Sequence, residues 1–424
     1  MAMATATAVA IGARMPDAPA RRGRQLRITP GAAVTGLTTI IVALLAMRDA
    51  AVQVTARQYP QLAVKLAPAN ATAITRIFDT AILGPEGLSQ NNQRWAGAAL
   101  QALRADPLNG SGLRLLAYVD DLEQNGSDRA RTLMLLSERA SRRDLLAQIW
   151  LIEDAVRRGD IDGALQHYDR ALSVRPASAG QLFPILVAAT TEPAIRQALV
   201  PYLRANRPWV PSFLSVLVEK SPNPAAVAAL FQLYSGARAV PSHAVYESTL
   251  LKRLVSTGDL ATARSLASHI DPRPQIWAFG FDPATTQARL RPLTWALYDG
   301  ADGAVVLDEK GALAISVGPE RRIVAASRIL SGLPRNARLQ LSLTYPDPAV
   351  APLITWRAYC RHVGRGPQQF WVRDLPATAG KITMEGRITI PDDCRGVQVD
   401  VEATGASGTS DSRAVIDRVS LAAS

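Results

Sequence analysis

The sequence predicts a multidomain α + β chain with an N-terminal transmembrane helix, an α-helical solenoid and a C-terminal antiparallel β-sandwich. Three observations predict it. The run GAAVTGLTTIIVALLAM, Gly31 to Met47, carries no charge. From about residue 60 to 272, apolar residues recur at helical spacing between turn residues. After Pro274 the period drops to two.

The apolar run fixes topology. Its seventeen residues, wound as a helix, rise roughly 25 Å, the low end of what spans a bilayer. Arg14, Arg21, Arg22, Arg24 and Arg27 all precede it, and such an excess stays in the cytoplasm. Residues 1–30 therefore read as a basic, disordered cytoplasmic tail and 31–52 as a single-pass transmembrane anchor, with the bulk of the chain on the far side of the membrane. A cleaved signal peptide is the rival reading. Against it, the charged leader is long, and Arg48 and Asp49 follow the core where a small-residue cleavage motif belongs.

Charge argues against nucleic acid as a partner. The formal net charge is +11, but residues 1–60 hold seven arginines and two aspartates, leaving 40 basic and 34 acidic side chains in the other 364 residues. No basic stripe with interleaved aromatics appears. The two cysteines, Cys360 and Cys394, both fall in the last quarter. In an exported segment they are expected to form one disulfide between adjacent strands.

Residues 58–272 form the helical domain. Its clearest unit is Trp150 to Pro176, where Gly159-Asp160 separates two amphipathic stretches and Ala164, Tyr168 and Ala171 share one helix face. Pro176 closes the unit. Ala96, Ala130 and Ala164 recur at steps of 34, and Gly258-Asp259 with Ala263 and Ala267 repeats the pattern downstream. Pro201, Pro208, Pro211, Pro222 and Pro224 interrupt the helices between. On Leu151, Ala164, Tyr168, Ala171 and Pro176 this region resembles a tetratricopeptide repeat, departing from it at Ile152 and Ala155. The resemblance implies five or six stacked hairpins, with Ala130 and Ala263 also packing between helices, and a groove that holds a protein partner.

Residues 274–424 form the sandwich. Leu339, Leu341 and Leu343 alternate with polar neighbours, as do Val397, Val399 and Val401 with Gln398, Asp400 and Glu402. Gly- and Pro-rich turns separate about ten such strands. Ile276–Asp282, Thr294–Gly300 and Ala414–Leu421 resemble segments of galactose-binding and carbohydrate-binding jelly rolls. That resemblance implies glycan-binding rings, with Trp371 and Tyr298 as candidates, and a structural calcium ion on Asp299, Asp302 and Asp417; no other cofactor is expected. Trp356, in phase with Ile354 and Ala358, reads as core.

Nothing in the chain spells catalysis. His167 and His269 sit on helices without metal-ligand spacing, and no HExxH, Gly-x-Ser-x-Gly or phosphate loop occurs. Asp120-Asp121, Asp308-Glu309 and Asp392-Asp393 read as turn or surface charge. The sequence is therefore read as no enzyme. Anchor, solenoid and sandwich together resemble bacterial envelope proteins of exopolysaccharide assembly or export. The expected function is a non-enzymatic scaffold or adaptor binding a protein partner, and the alternative is glycan binding by the sandwich.

Overall fold

Short polar side chains write the helix starts in this chain. Asn70 accepts from the Ala73 amide at 2.9 Å, Ser127 from Ala130 at 2.9 Å, Asp160 from Gly163 at 2.9 Å, and Asp259 from Thr262 at 3.1 Å. Each satisfies an amide that the first helical turn leaves without an internal partner. The computed structural model describes residues 30–82, 92–124, 127–234, 243–362, 366–375 and 380–423. The arginine-rich leader and Gly126 lie outside the described residues. The chain divides into two compact units, residues 1–115 and 116–424.

The first unit holds α1 (Pro30–Gln58), α2 (Pro60–Leu66), α3 (Ala71–Ile82), α4 (Asn92–Ala105) and the start of α5 (Gly110–Gln124). Within α1, Leu37–Gln58 is long and apolar enough to cross a membrane. Its Leu37, Ile40, Leu44 and Met47 side chains are exposed, whereas Val52 and Ala56 are buried. Phe78 meets Trp95 edge-on at 5.2 Å, and Arg114 pairs with Asp79 at 2.7 Å.

In the second unit the helices continue as α6 (Asp128–Ala140), α7 (Leu145–Arg157), α8 (Ile161–Val174), α9 (Ala179–Ala189), α10 (Pro193–Arg204), α11 (Val210–Lys220), α12 (Pro224–Tyr234), α13 (Ala244–Ser256) and α14 (Leu260–Ile270). They stack as hairpins. Helices α8, α10, α12 and α14 pack in one row, and α9, α11 and α13 in another. Gly159 and Gly258 take φ of 71° and 79°, the left-handed conformation that glycine ends a helix with most easily, and the next residue caps the following helix. The residues singled out for repeat packing, Leu151, Ala164, Tyr168, Ala171, Ala130 and Ala263, are all buried. Pro176 opens a short 3₁₀ turn after α8. One expectation needs correcting. Pro201 does not interrupt a helix but lies inside α10, and Pro193, Pro211 and Pro224 stand at helix starts, where a missing amide proton costs nothing.

Buried ions tie the hairpins together. Glu138 takes hydrogen bonds from Arg170 and from Gln148 at 3.2 Å, and His167 lies 3.5 Å away. Burial would raise its pKa, but the His167 and Gln148 hydrogen bonds and the charges of His167 and Arg170 outweigh this and push it down to about 2. A depressed carboxylate adds stability that is present above its unfolded value and lost as pH falls through the folded one. Unfolding stability is therefore expected to decline from about pH 4.5 toward about pH 2, and Glu138→Gln should remove part of that acid dependence. Urea titrations at stepped pH check this, and a variant with an unchanged acid limb rejects it. Asp169 on α8 accepts from Arg207 Nε at 2.8 Å and Nη2 at 2.6 Å, and from the Trp209 indole at 2.9 Å. The Asp120-Asp121 pair is likewise not mere surface charge. Asp120 is buried and takes the Ser127 hydroxyl, and Asp121 accepts from the Trp150 indole at 2.9 Å.

Ten strands are found among the described residues, in two five-stranded antiparallel sheets that form a jelly roll. One has the order β1 (Ala296–Leu297), β4 (Arg322–Leu330), β9 (Gly396–Thr404), β6 (Leu353–Arg361), β7 (Gln368–Leu375). The other runs β2 (Gly303–Leu307), β3 (Leu313–Val317), β10 (Ser412–Ala423), β5 (Asn336–Thr344), β8 (Lys381–Thr389). Between them lie Trp295, Trp356, Leu339, Leu343, Val401 and their neighbours. Cys360 on β6 is disulfide-bonded to Cys394, in the turn before β9, with Cα atoms 5.3 Å apart. The bridge closes the end of two strands that pair directly, Cys360 lying opposite Val397.

The segment between α14 and β1 joins helices to sandwich. Ile276, Leu290, Leu293 and Ile329 belong to the same apolar core as α12, α13 and α14. Glu247 on α13 receives the Arg289 guanidinium. Arg328, 1% exposed, donates to the carbonyls of Leu293 at 2.8 Å, Ala278 at 2.5 Å and Ile276 at 2.8 Å.

Candidate functional site

The outer face of the first sheet gathers the densest polar arrangement on the sandwich. On β6, Ile354, Trp356 and Ala358 point into the core, so the two-residue period turns Thr355, Arg357, Tyr359 and Arg361 outward. On β9, Val397, Val399 and Val401 point inward and Gln398, Asp400 and Glu402 outward. The ladder sets Arg357 opposite Asp400, Tyr359 opposite Gln398 and Thr355 opposite Glu402. Antiparallel pairing therefore assembles residues about 40 positions apart in sequence into one surface.

These groups hold one another in place. Glu402 accepts from Arg322 on β4 and from Arg357 Nε at 2.8 Å. Arg357 also donates to Gln369 Oε1 at 2.8 Å. Asp400 accepts from Ser327 at 2.6 Å and from Gln398 at 3.0 Å, and Arg361 donates to Gln398 at 3.3 Å. Asp400 and Glu402 are each only 7% exposed. The Arg357 pKa is raised, first by its hydrogen bond to Glu402. That of Tyr359 is raised by burial and by the nearby Glu402 and Asp400 charges, so its hydroxyl stays protonated. Arg322, Arg357 and Arg361 balance Asp374, Asp400 and Glu402, which leaves the face without net charge. An ordered, neutral set of planar donors and acceptors beside an aromatic ring suits a polyhydroxyl ligand, whose hydroxyls pair with the former and whose C–H groups pack on the latter.

The residues chosen from sequence lie elsewhere. Trp371, on edge strand β7, is half-buried against the sandwich core, and a Cβ at Gly386 would meet its ring at 3.5 Å. Tyr298 follows β1 at the opposite edge, also half-buried, its hydroxyl accepting from the Asp302 amide at 3.2 Å. Three strands separate the two rings, roughly 19 Å of sheet, so they do not form one site. The calcium expectation is corrected too. Asp302 lies 3.5 Å from Arg321, Asp417 accepts from Thr344 at 2.7 Å, and among the described residues no three His, Cys, Asp or Glu converge as a metal site. Asp299 and Asp302 occupy the loop from β1 to β2, whereas Asp417 sits on a bulge of the other sheet's outer side. The signal that would have found Arg357, Tyr359 and Glu402 was their alternation with core residues, which also describes any solvated strand face.

No family model and no curated protein matches this chain. Among solved structures, it is similar to a protein described under "CBM4 structure and function" at 16% identity and TM-score 0.23, over 31% of this chain and 88% of that one. It is similar to xylanase 10C from Cellvibrio japonicus, in complex with xylopentaose, at 13% identity and TM-score 0.23, over 31% and 26%. The CBM22-1 xylan-binding domain of Xyn10C from Paenibacillus barcinonensis gives 10% identity and TM-score 0.23, over 31% and 86%. Likeness at this level carries nothing about what the present chain binds.

Proposed function

We propose that this chain is a membrane-anchored, non-catalytic glycan-binding protein of a bacterial cell envelope, acting in exopolysaccharide assembly or export. The carrying observation is the outer face of the β4-β9-β6-β7 sheet, where Glu402 holds Arg357, where Asp400 and Arg361 hold Gln398, and where Tyr359 stands opposite Gln398 in the ladder. Preorganised polar groups cost a ligand little ordering on binding. The arginine-flanked apolar helix supports the anchor, and the Cys360–Cys394 bridge supports an oxidising compartment. A binding role without turnover fits the carboxylates. Asp400 and Glu402 share one strand and are engaged by Ser327 and two arginines, whereas glycoside cleavage needs two carboxyl groups flanking one bond.

The test is a neutral-glycan array probed with the full chain in a non-ionic detergent, followed by titration of the retained sugars. Tyr359→Ala is expected to weaken binding roughly tenfold, the ring's share of the contact. Arg357→Ala should weaken it by at least as much, because it also frees Gln369 and half of Glu402's partners. Undiminished binding by both variants sinks the proposal. A second reading, docking of a protein on the helical hairpins, is favoured by one observation. Val156 and Ile185, 64% and 60% exposed, border an apolar pocket with Ala164, Ala189 and Ile195. If the chain ignores glycans and captures a protein that Val156→Glu releases, that reading takes over.

A further inference from the structure

The outer face of the second sheet has an unlike charge. Along β5, β8 and β10 it presents Arg338, Lys381, Arg387, Arg413 and Arg418 against only Glu385 and Asp417. Both carboxylates are engaged, Glu385 with Arg338 at 3.0 Å and Asp417 with the Thr344 hydroxyl at 2.7 Å. Among the described residues none of Lys381, Arg387, Arg413 and Arg418 pairs with a carboxylate, and all four are exposed. The register places Arg338 directly opposite Arg387. Like charges so placed repel across an antiparallel pair, a cost that a bound anion would relieve. The balanced face of the first sheet has no such excess.

The same face is recessed. A groove over β10, β5 and β8 is lined by Gln340, Ser342, Thr383 and Ser420, by the cations Lys381 and Arg418, and by the already engaged carboxylates Glu385 and Asp417. Its residues face each other in register, Arg418 opposite Ser342 and Ser342 opposite Thr383. Hydroxyl and amide groups in the lining match sugar hydroxyls, and the cations match carboxylates spaced along a chain. No aromatic side chain lines the groove, which removes the stacking platform that single-stranded nucleic acid uses.

We propose that this groove binds an acidic polysaccharide, a polyuronate or its like, at a site separate from the face assigned above. The sandwich then holds a charged and an uncharged glycan on its two outer surfaces. Charge complementarity carries the choice of ligand: the free cations lie on and around this grooved polar face, and their pairing is electrostatic and salt-sensitive.

The experiment is affinity electrophoresis of the full chain, in non-ionic detergent, through gels containing polygalacturonate, with dextran gels as the uncharged control. Retardation by polygalacturonate is expected at low salt, fading as the ionic strength rises. The double variant Lys381→Gln/Arg418→Gln should weaken it roughly tenfold, while Tyr359→Ala leaves it unchanged. Circular dichroism confirms that both variants fold, and Arg413→Gln, farther from the groove, should lower retention less. The proposal is overturned by absence of retardation at low salt. It is equally overturned if the double variant is retained like the parent, if Tyr359→Ala abolishes retention, or if single-stranded DNA of equal charge competes as well as the uronate. Because the two faces carry different variants, failure here and failure of the neutral-glycan reading are distinguishable.

Discussion

Replacing Arg328 by alanine is expected to lower the unfolding free energy by about 3–5 kcal/mol, since it strips hydrogen-bond donors from three carbonyls at once and each orphaned buried group costs about 1–3 kcal/mol. The carbonyls belong to Ile276, Ala278 and Leu293, in the segment that leads from the helices into the sandwich. The guanidinium also stands 5.9 Å over the Trp295 ring. Burial pushes its pKa down to about 10, with Asp282 pulling the other way, so it remains a cation at neutral pH and depends on these acceptors. Arg328→Lys should recover little, because one ammonium cannot reproduce a fork of three donors. Thermal melts followed by tryptophan fluorescence check this, with a fall of roughly 10 °C expected. An alanine variant melting within a degree or two of the parent would show that the three carbonyls find other donors. The same contacts predict that a fragment beginning at β1 loses stability with its Arg328 acceptors, so binding work belongs on the full chain.

The second large effect concerns the disulfide. Cys360 and Cys394 are 34 residues apart in sequence, and closing a loop of that size in the unfolded chain is worth about 3–4 kcal/mol in the chain-entropy account. Cys360→Ser/Cys394→Ser should lower the denaturant midpoint accordingly, and reductant should shift the parent but not the double variant. Function should follow. Tyr359 and Arg361 flank Cys360, and Gln398 lies just past the other end of the bridge on the paired strand. Loosening that strand end is expected to weaken neutral-glycan binding several-fold while leaving the basic groove of the other sheet intact. Equal stability of parent and double variant, with or without reductant, would refute the structural role.

Much of the architecture was readable because its causes are local. Gly159-Asp160 and Gly258-Asp259 each end one helix and start the next, whatever surrounds them. The alternation of Val397, Val399 and Val401 with polar residues announces a strand with one buried face. Arg328 was not readable. In the run RIVAASRIL strict alternation would turn it to solvent, but the ladder slips between Val324 and Ala326 and brings it into phase with the inward residues. Trp371 follows a Gly- and Pro-containing loop, a setting in which a side chain commonly faces solvent. The vacancy over Gly386 on a strand of the other sheet lets its ring tuck inward instead.

The sequence by itself determined where the chain is apolar enough to enter lipid, where helices begin and stop, and where period four gives way to period two. These follow from the conformational preferences of a few neighbouring residues. Only the tertiary structure decided that Arg357 meets Glu402, that Lys381 and Arg418 line one groove, and that Tyr298 and Trp371 stand at opposite sheet edges. Strand order and register are set by burying two apolar surfaces against each other, a balance struck over the whole sandwich that no short stretch of residues encodes.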